Sequence, residues 1–325
     1  SADLKYRVTG GVINARMLAG GRPPQVDTCP LDPSSTCAHP LVVSTKDLAS
    51  TETAVSTEIG VGTEASWTDS MPEIYDRCLG PALFAPVAAH LADLATTSSP
   101  RRVLELAAGT GIVTGALVRA LPDADIVATD LNPAMVSWAA GRIGGVTWRQ
   151  ADAQNLDFPD ASFDLALCSF GVMFFPDRRA AFADVFRLLA PDGTFLFTVW
   201  DTVELSPFPA ALVSALEAVL PENPPSFVAR VPHGYSDSSR ISDDLQAAGW
   251  SDFTIRRVVL SGTAASAQSL AEGFCLGTPL RFALQERGSL PELTEAVAAD
   301  MSARLGTGSV TGDLALLVIN ARRSA

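Results

Sequence analysis

Three carboxylates stand out in this sequence because each sits where a short apolar run gives way to small or turn-forming residues. Glu105 lies within Val103-Leu104-Glu105-Leu106-Ala107-Ala108-Gly109-Thr110-Gly111, Asp130 ends Ile126-Val127-Ala128-Thr129-Asp130, and Asp152 follows Val146-Thr147-Trp148-Arg149-Gln150-Ala151. Gly109 and Gly111 let the backbone take positive φ and come close to a ligand with no Cβ in the way. From Ile112 to Leu121 the pattern turns helical, so the free N–H groups of a helix start face whatever the glycine turn holds. A carboxylate four residues before Gly109 suits a ligand with a cationic amine or sulfonium better than a pyrophosphate. Asp130, nineteen residues after Gly111, is placed to accept the two hydroxyls of a ribose. The chemistry implied is that of a nucleotide-type site.

Proton-transfer groups are scarce. The chain has three histidines, His39, His90 and His233. His233 stands between Pro232 and Gly234, next to Tyr235, and a neutral imidazole there could take a proton from a phenol or hydroxyl near pH 7. The competing reading is a turn histidine bonded to backbone. His233 and Tyr235 are the candidate catalytic residues. His90, on a helix among alanines, reads as a surface or packing residue.

The elements needed to position these groups are legible as alternating short apolar runs and helical patterns, which predict an α/β doubly wound sheet. Val103, Leu104 and Leu106 read as a central parallel strand. The segments ending at Asp130 and Asp152 read as the second and third strands, and Asn132-Pro133 starts a helix. Ser162-Phe163-Asp164-Leu165-Ala166-Leu167-Cys168 reads as a fourth strand. Arg187-Leu188-Leu189-Ala190-Pro191-Asp192-Gly193-Thr194-Phe195-Leu196-Phe197 reads as a helix end, a turn and a fifth strand.

Two nucleotide chemistries fit a strand, a glycine turn and a helix. A dinucleotide fingerprint places a third small residue where this chain has Thr114, with Gly115 one position late. The E-x-x-x-G-x-G pattern, with the four later segments in order, instead resembles class I S-adenosylmethionine-dependent methyltransferases, of the ubiquinone/menaquinone-biosynthesis (methyltransferase type 11) group. The resemblance covers roughly residues 71–200. It implies a seven-stranded sheet of order 3-2-1-4-5-7-6 with the last strand antiparallel, and S-adenosyl-L-methionine as cofactor. It also implies cofactor contacts from Tyr75, Glu105, Ala107, Gly109, Gly111, Asp130, Leu131, Asp152, Ala153 and Ser169, with Asp152 at the adenine amino group. Ser169 stands where many relatives have Gln.

Ligands on open α/β sheets bind outside the carboxyl ends of the strands, so the loop Ser169-Phe170-Gly171-Val172-Met173-Phe174-Phe175 faces the transferred methyl. Phe170, Gly171 and Met173, with Phe274 from the later part of the chain, are candidate substrate contacts. The implied activity is methyl transfer to oxygen, carbon or nitrogen of an apolar or aromatic small molecule by in-line displacement, with no metal. A cofactor-binding module without catalysis and an NAD(P)-dependent oxidoreductase are the alternatives.

Composition narrows the partners. The chain has 325 residues, is 47% hydrophobic and carries a formal net charge of −13. That balance argues against nucleic acid or an anionic membrane surface, both of which need clustered Lys and Arg. No stretch approaches the roughly 20 apolar residues of a membrane span. Five scattered cysteines without C-x-x-C spacing argue against a disulfide framework or zinc site and for a reduced, cytoplasmic compartment. A monomer or homodimer is expected.

Residues 1–66, rich in Gly, Pro, Ser and Thr with little periodicity, read as a disordered leader or a start-site artefact. Residues 67–325 read as the methyltransferase-like domain, closed by strands over Phe253–Leu260 and Leu314–Ala321. Insertions at about 202–236 and 264–305 are expected to form a helical lid over the substrate.

Overall fold

The computed structural model describes residues 5–9, 12–16 and 70–324. Two strands, β1 (Lys5–Thr9) and β2 (Val12–Arg16), pair antiparallel with Thr9 opposite Val12. They belong to a unit separate from the rest of the chain and fall in the segment expected to be a disordered leader. The remainder of residues 1–66 lies outside the described residues, as do Cys29, Cys37 and His39.

The larger unit is built on β3 (Arg102–Leu106), β4 (Asp125–Asp130), β5 (Val146–Gln150), β6 (Phe163–Ser169), β7 (Leu189–Trp200), β8 (Asp252–Ala264) and β9 (Val310–Arg322). They lie in the order β5-β4-β3-β6-β7-β9-β8. Strand β9 runs antiparallel to both neighbours, and the pairs from β5 to β7 are parallel. Numbered from the first of the seven, this is the expected 3-2-1-4-5-7-6 sheet.

Strand β3 takes the middle because Val103, Leu104 and Leu106 are fully buried, and only a strand covered on both faces can use an unbroken apolar run. At the far edge, β5 has no buried residue, and its pairing with β4 ends at Gln150. Asp152, expected at the strand's end, therefore lies in the turn beyond it. Strands β8 and β9 exceed the expected ranges by several residues. Ser261–Ala264 pair with Val310–Asp313, a stretch where Gly262 faces Gly312 and the Thr263 and Thr311 hydroxyls meet at 3.0 Å. No apolar alternation marks those residues.

Eleven helices of α type are described: α1 (Met71–Cys78), α2 (Ala85–Thr96), α3 (Ile112–Ala120), α4 (Pro133–Ala140), α5 (Arg178–Leu188), α6 (Pro207–Val219), α7 (Phe227–Arg230), α8 (Ser238–Ala247), α9 (Ala267–Gly277), α10 (Leu280–Gln285) and α11 (Leu290–Leu305). Proline in the first turn, where its missing N–H costs nothing, starts α1, α2, α4, α6 and α11. The helical stretch over 264–305, which the sequence breaks at Phe274–Leu280, divides into three: Thr278 turns extended at the end of α9 and Pro279 starts the next. Among the described residues no single helix is long and apolar enough to cross a membrane.

Two glycines set the approach of α1 to α9. A Cβ on Gly273 would stand 2.6 Å from Leu79 Cδ2, and one on Gly277 2.8 Å from the Tyr75 nitrogen. Their spacing, one helical turn, puts both on the face that meets α1. Tyr75 and Phe274 are thereby held on adjacent helices at the carboxyl edge of the sheet.

Candidate active site

At the end of β3 the chain turns sharply. Ala107 takes φ 50°, Gly109 φ 57° and Gly111 φ 84°, so three of five residues lie in the left-handed region that only glycine enters freely. Ala107 bears a strain that L-residues seldom carry, a condition that concentrates at functional sites. The turn is tied to the next strand by Ala108 N–H donating to Thr129 O at 2.9 Å and Gly109 N–H donating to Asp130 Oδ2 at 2.8 Å. Around the Gly109 Cβ position there is open space, whereas a Cβ on Gly111 would stand 2.5 Å from Ile143 Cδ1 and 3.2 Å from Ala139 Cβ. One glycine thus admits something from outside, and the other admits the protein's own packing.

Glu105 lies beneath this turn with 1% of its surface exposed. Burial pushes its carboxyl up to about 8, and the Asp130 charge adds to the shift. Its Oε2 meets no hydrogen-bond partner among the described residues, and neither do the hydroxyls of Thr110 and Thr114. Buried polar atoms are normally paired, so this orphaned carboxylate oxygen fits a ligand that brings a positive group or a donor. Asp130 accepts one backbone N–H on each oxygen, from Gly109 and from Asn132 (2.8 Å each), and keeps lone pairs for two hydroxyls. Burial raises its pKa and the two N–H groups oppose that.

The rest of the crevice follows the strand ends. Leu131, 43% exposed, presents an apolar face directly after Asp130. Just beyond the next strand Asp152 is exposed, accepting the Gln154 N–H at 2.9 Å, and Ala153 is buried behind it. Ser169 ends β6 with its hydroxyl 3.4 Å from that of Thr198. The structure therefore brings Glu105, Ala107, Gly109, Gly111, Asp130, Leu131, Asp152, Ala153 and Ser169 to one edge of the sheet.

Beside this crevice a cavity of about 140 Å³ opens, with walls that are almost entirely apolar. Strand β6 contributes Phe170 and Met173 through the loop at its end, and β7 contributes Trp200. Phe170 takes φ 53° and lies flat on Trp200, with ring centroids 3.8 Å apart and planes within 8°. The loop is held by Arg178, which donates to Val172 O and Met173 O at 3.0 and 2.7 Å. Gly171 does not line the cavity. A Cβ on it would meet Ala107 Cβ at 2.5 Å and Cys168 Sγ at 2.6 Å, so it is the point where this loop presses on the glycine turn.

Residues 202–236 add Ser206, Pro209, Phe227, Val228, Pro232 and His233 to the wall, and residues 264–305 add Phe274, Thr278 and Pro279. Tyr75, stacked on Phe84 with centroids 4.8 Å apart, lines the same cavity. Its hydroxyl is held neutral by burial and by the charges of Asp130 and Asp76, which puts it on the crevice side.

His233 and Tyr235, paired in sequence, part company in space. His233 is buried with its Nδ1 2.6 Å from the backbone oxygen of Asp201. A carbonyl can only accept, so Nδ1 carries the hydrogen and Nε2 presents a lone pair. Burial lowers its pKa, although Asp201 and Glu204 pull the other way, and the ring stays neutral at pH 7. His233 is bonded to backbone, as one of its two sequence readings has it, and it also lines the cavity. Tyr235 is different. It is absent from the cavity wall, its hydroxyl donates to Asp244 Oδ2 at 2.9 Å, and Arg178 and Arg240 lie over its ring. Burial and Asp244 raise its pKa and keep the hydroxyl protonated, and the pairing of α8 with α5 through Asp244 and Arg179 accounts for its position.

Trp200 and Asp201 were not among the expected site residues. The signal for Trp200 was available, since it is the last residue of a strand whose carboxyl end faces the ligand. Asp201 acts through its backbone, which no residue type announces.

Comparison with known proteins agrees with this geometry. Residues 103–193 match the family described as methyltransferase domain. A demethylmenaquinone methyltransferase from Deinococcus radiodurans is 34% identical over 131 residues, covering 39% of this chain and 54% of the relative. The ubiquinone/menaquinone biosynthesis C-methyltransferase UbiE of Saccharophagus degradans is 35% identical over 111 residues, covering 32% and 45%. The chain spans about half the length of the curated relatives it matches. Among solved structures, Haemonchus contortus phosphoethanolamine N-methyltransferase 2 in complex with S-adenosyl-L-methionine shares the fold, with a TM-score of 0.52 at 14% identity over 82% of this chain and 61% of that one.

Proposed function

We propose that this chain, whose residues 103–193 belong to the class I S-adenosylmethionine-dependent methyltransferases, transfers a methyl group to a small apolar or aromatic acceptor held in the cavity beside the glycine turn. The observation that carries the reading is Glu105, a buried carboxylate with an unpartnered oxygen beneath a turn whose Gly109 faces open space. The sulfonium cofactor supplies an electrophilic methyl carbon when bound. For their part, Gly109 lets the backbone approach, Asp130 receives hydroxyls, and Leu131 with Asp152 flanks the base.

Alignment of nucleophile and methyl carbon is the main catalytic demand, and exclusion of water the second. Phe170, Trp200 and Phe274 meet both by walling the cavity with rigid apolar surface. We read residues 202–236 and 264–305 as the lid that completes that wall. The acceptor is a small molecule in this reading, because a chain with net charge −13 is poorly suited to nucleic acid. The relatives named for demethylmenaquinone make a quinone-type aromatic the first acceptor to try. Three buried free thiols, Cys78, Cys168 and Cys275, fit a reducing, cytoplasmic setting.

The test is transfer of labelled methyl from S-adenosyl-L-methionine to a panel of aromatic acceptors by the full chain. Label in an extractable apolar product supports the reading. Retention of all label in the cofactor, with cofactor bound, would leave a binding module without catalysis.

A further inference from the structure

We infer that the acceptor is an uncharged aromatic alcohol, methylated on oxygen, and that His233 Nε2 takes its hydroxyl proton. The inference rests on the methyltransferase reading above and narrows its substrate. It starts from what the cavity wall lacks: among the described residues lining it there is no Asp, Glu, Lys or Arg. A carboxylate, phosphate or ammonium acceptor would lose its hydration there with no opposite charge to replace it. The Ser and Thr hydroxyls of the lining are turned to backbone. Ser206 Oγ accepts the Ala315 N–H at 3.0 Å, and Thr278 Oγ1 donates to Phe274 O at 2.7 Å while accepting the Leu280 N–H at 3.2 Å.

One basic side chain, His233, lines this apolar space. The hydrogen of His233 is committed to Asp201 O, so Nε2 can accept and cannot donate. The imidazole is fixed in that orientation from two further sides. Trp200 is stacked on it with centroids 6.0 Å apart, and the Asp201 side chain, 1% exposed, is anchored by Arg257. A lone pair in an apolar wall selects a ligand with an O–H at the edge of a flat apolar body, and aromatic rings line the space such a body would fill.

The balance of the step is as follows. The acceptor's O–H bond breaks and its proton passes to Nε2. The oxygen's electron pair forms the new O–C bond to the methyl carbon, and the electron pair of the C–S bond leaves with sulfur, which turns from a sulfonium into a neutral thioether. The imidazolium formed is stabilised by its Nδ1–H on Asp201 O and by the charge of Glu204, and it returns its proton to solvent.

The probes are 1-naphthol, naphthalene and 1-naphthoate, titrated into the full chain with S-adenosylhomocysteine present. The expected result is binding of 1-naphthol at least about fivefold tighter than naphthalene, with 1-naphthoate weakest. His233→Phe, which keeps a ring against Trp200 but removes the acceptor atom, should make naphthol and naphthalene equal while leaving S-adenosylhomocysteine affinity in place. If that variant does not fold, acidification of the native protein gives the same test. The charged and titratable groups around the ring are Asp201, Glu204, Arg257 behind Asp201, and Tyr75 in the same wall. Burial lowers the His233 value, so its Nε2 lone pair is lost to protonation only in acid solution below the ordinary imidazole range, and the naphthol preference should fall there. With S-adenosyl-L-methionine the product should be 1-methoxynaphthalene. Equal binding of naphthol and naphthalene, preferred binding of naphthoate, a preference that survives His233→Phe, or methylation on ring carbon or not at all would each overturn the inference. Failure of S-adenosylhomocysteine to bind would instead remove the methyltransferase reading beneath it.

Discussion

Gly277 lies so close to the backbone of Tyr75 that a Cβ on it would stand 2.8 Å from the Tyr75 nitrogen and 3.1 Å from its Cα. Backbone cannot rotate away as a side chain can. Gly277→Ala should therefore push α1 off α9 and displace Tyr75 from the junction of crevice and cavity. Overpacking of this kind costs about 1–3 kcal/mol. Urea unfolding should show that loss, and cofactor affinity should fall with it. A variant as stable as the native chain would mean that the two helices separate without cost.

The crevice is more legible in the sequence than the cavity, for a physical reason. The crevice is made by one continuous pattern at each strand end, so Glu105, Gly109, Gly111 and Asp130 advertise themselves by residue type and spacing. The cavity is assembled from segments that run from Tyr75 to Leu314, and its key contacts are generic. Trp200 is one aromatic among many, Asp201 acts through a carbonyl, and Gly273 with Gly277 matters only because α1 happens to lie against them. His233 stands out because histidines are rare in this chain. Tyr235 was drawn in by adjacency alone, and a two-residue step across the 232–236 turn sends it to Asp244 instead. The strand lengths of β8 and β9 were underestimated because backbone pairing continues where Ser261, Gly262 and Gly312 give no apolar signal.

The two glycines of the turn should separate binding from folding. Gly109→Ala meets open space and carries only the left-handed backbone penalty of about 1–2 kcal/mol. Its main effect should be on cofactor affinity. Gly111→Ala adds a clash with Ile143 and Ala139 to that penalty, so its main effect should be on stability. Thermal melts and cofactor titrations on both variants check this, and an inverted pattern would contradict the assignment of the open side to the ligand.

Glu105 predicts a proton linkage. Its carboxyl, pushed up to about 8 chiefly by burial, is protonated in the ligand-free protein at pH 7. A cationic ligand favours the ionised form, so binding should release up to one proton between roughly pH 5 and 8, and should tighten as pH rises toward 8. Calorimetry in buffers of different ionisation enthalpy reads the proton directly. The same shift affects stability. Because the folded value lies above the unfolded one, about 4.5, the stabilisation is fully present below the unfolded value and is lost as pH rises through the folded one. Ligand-free Glu105→Gln should match the native chain near pH 4 and exceed it near pH 9, by an amount on the order of a few kcal/mol. Cofactor binding with no proton release would argue that Glu105 does not meet the cation.

Tyr235→Phe tests whether that hydroxyl belongs to the fold. Removing it leaves a buried oxygen of Asp244 without its donor, at a cost of about 1–3 kcal/mol. Methyl transfer by the folded fraction should be unchanged. A folded variant with abolished turnover would return Tyr235 to the active site.

The central claim, that the turn after β3 holds a sulfonium nucleoside, is tested most directly by calorimetric titration of S-adenosyl-L-methionine into the full chain and its Gly109→Arg variant. Binding on the order of micromolar to the native chain, with none to a variant that keeps its fold, is the expected result. A folded native chain that binds no cofactor, or a variant that binds it equally well, would contradict the account.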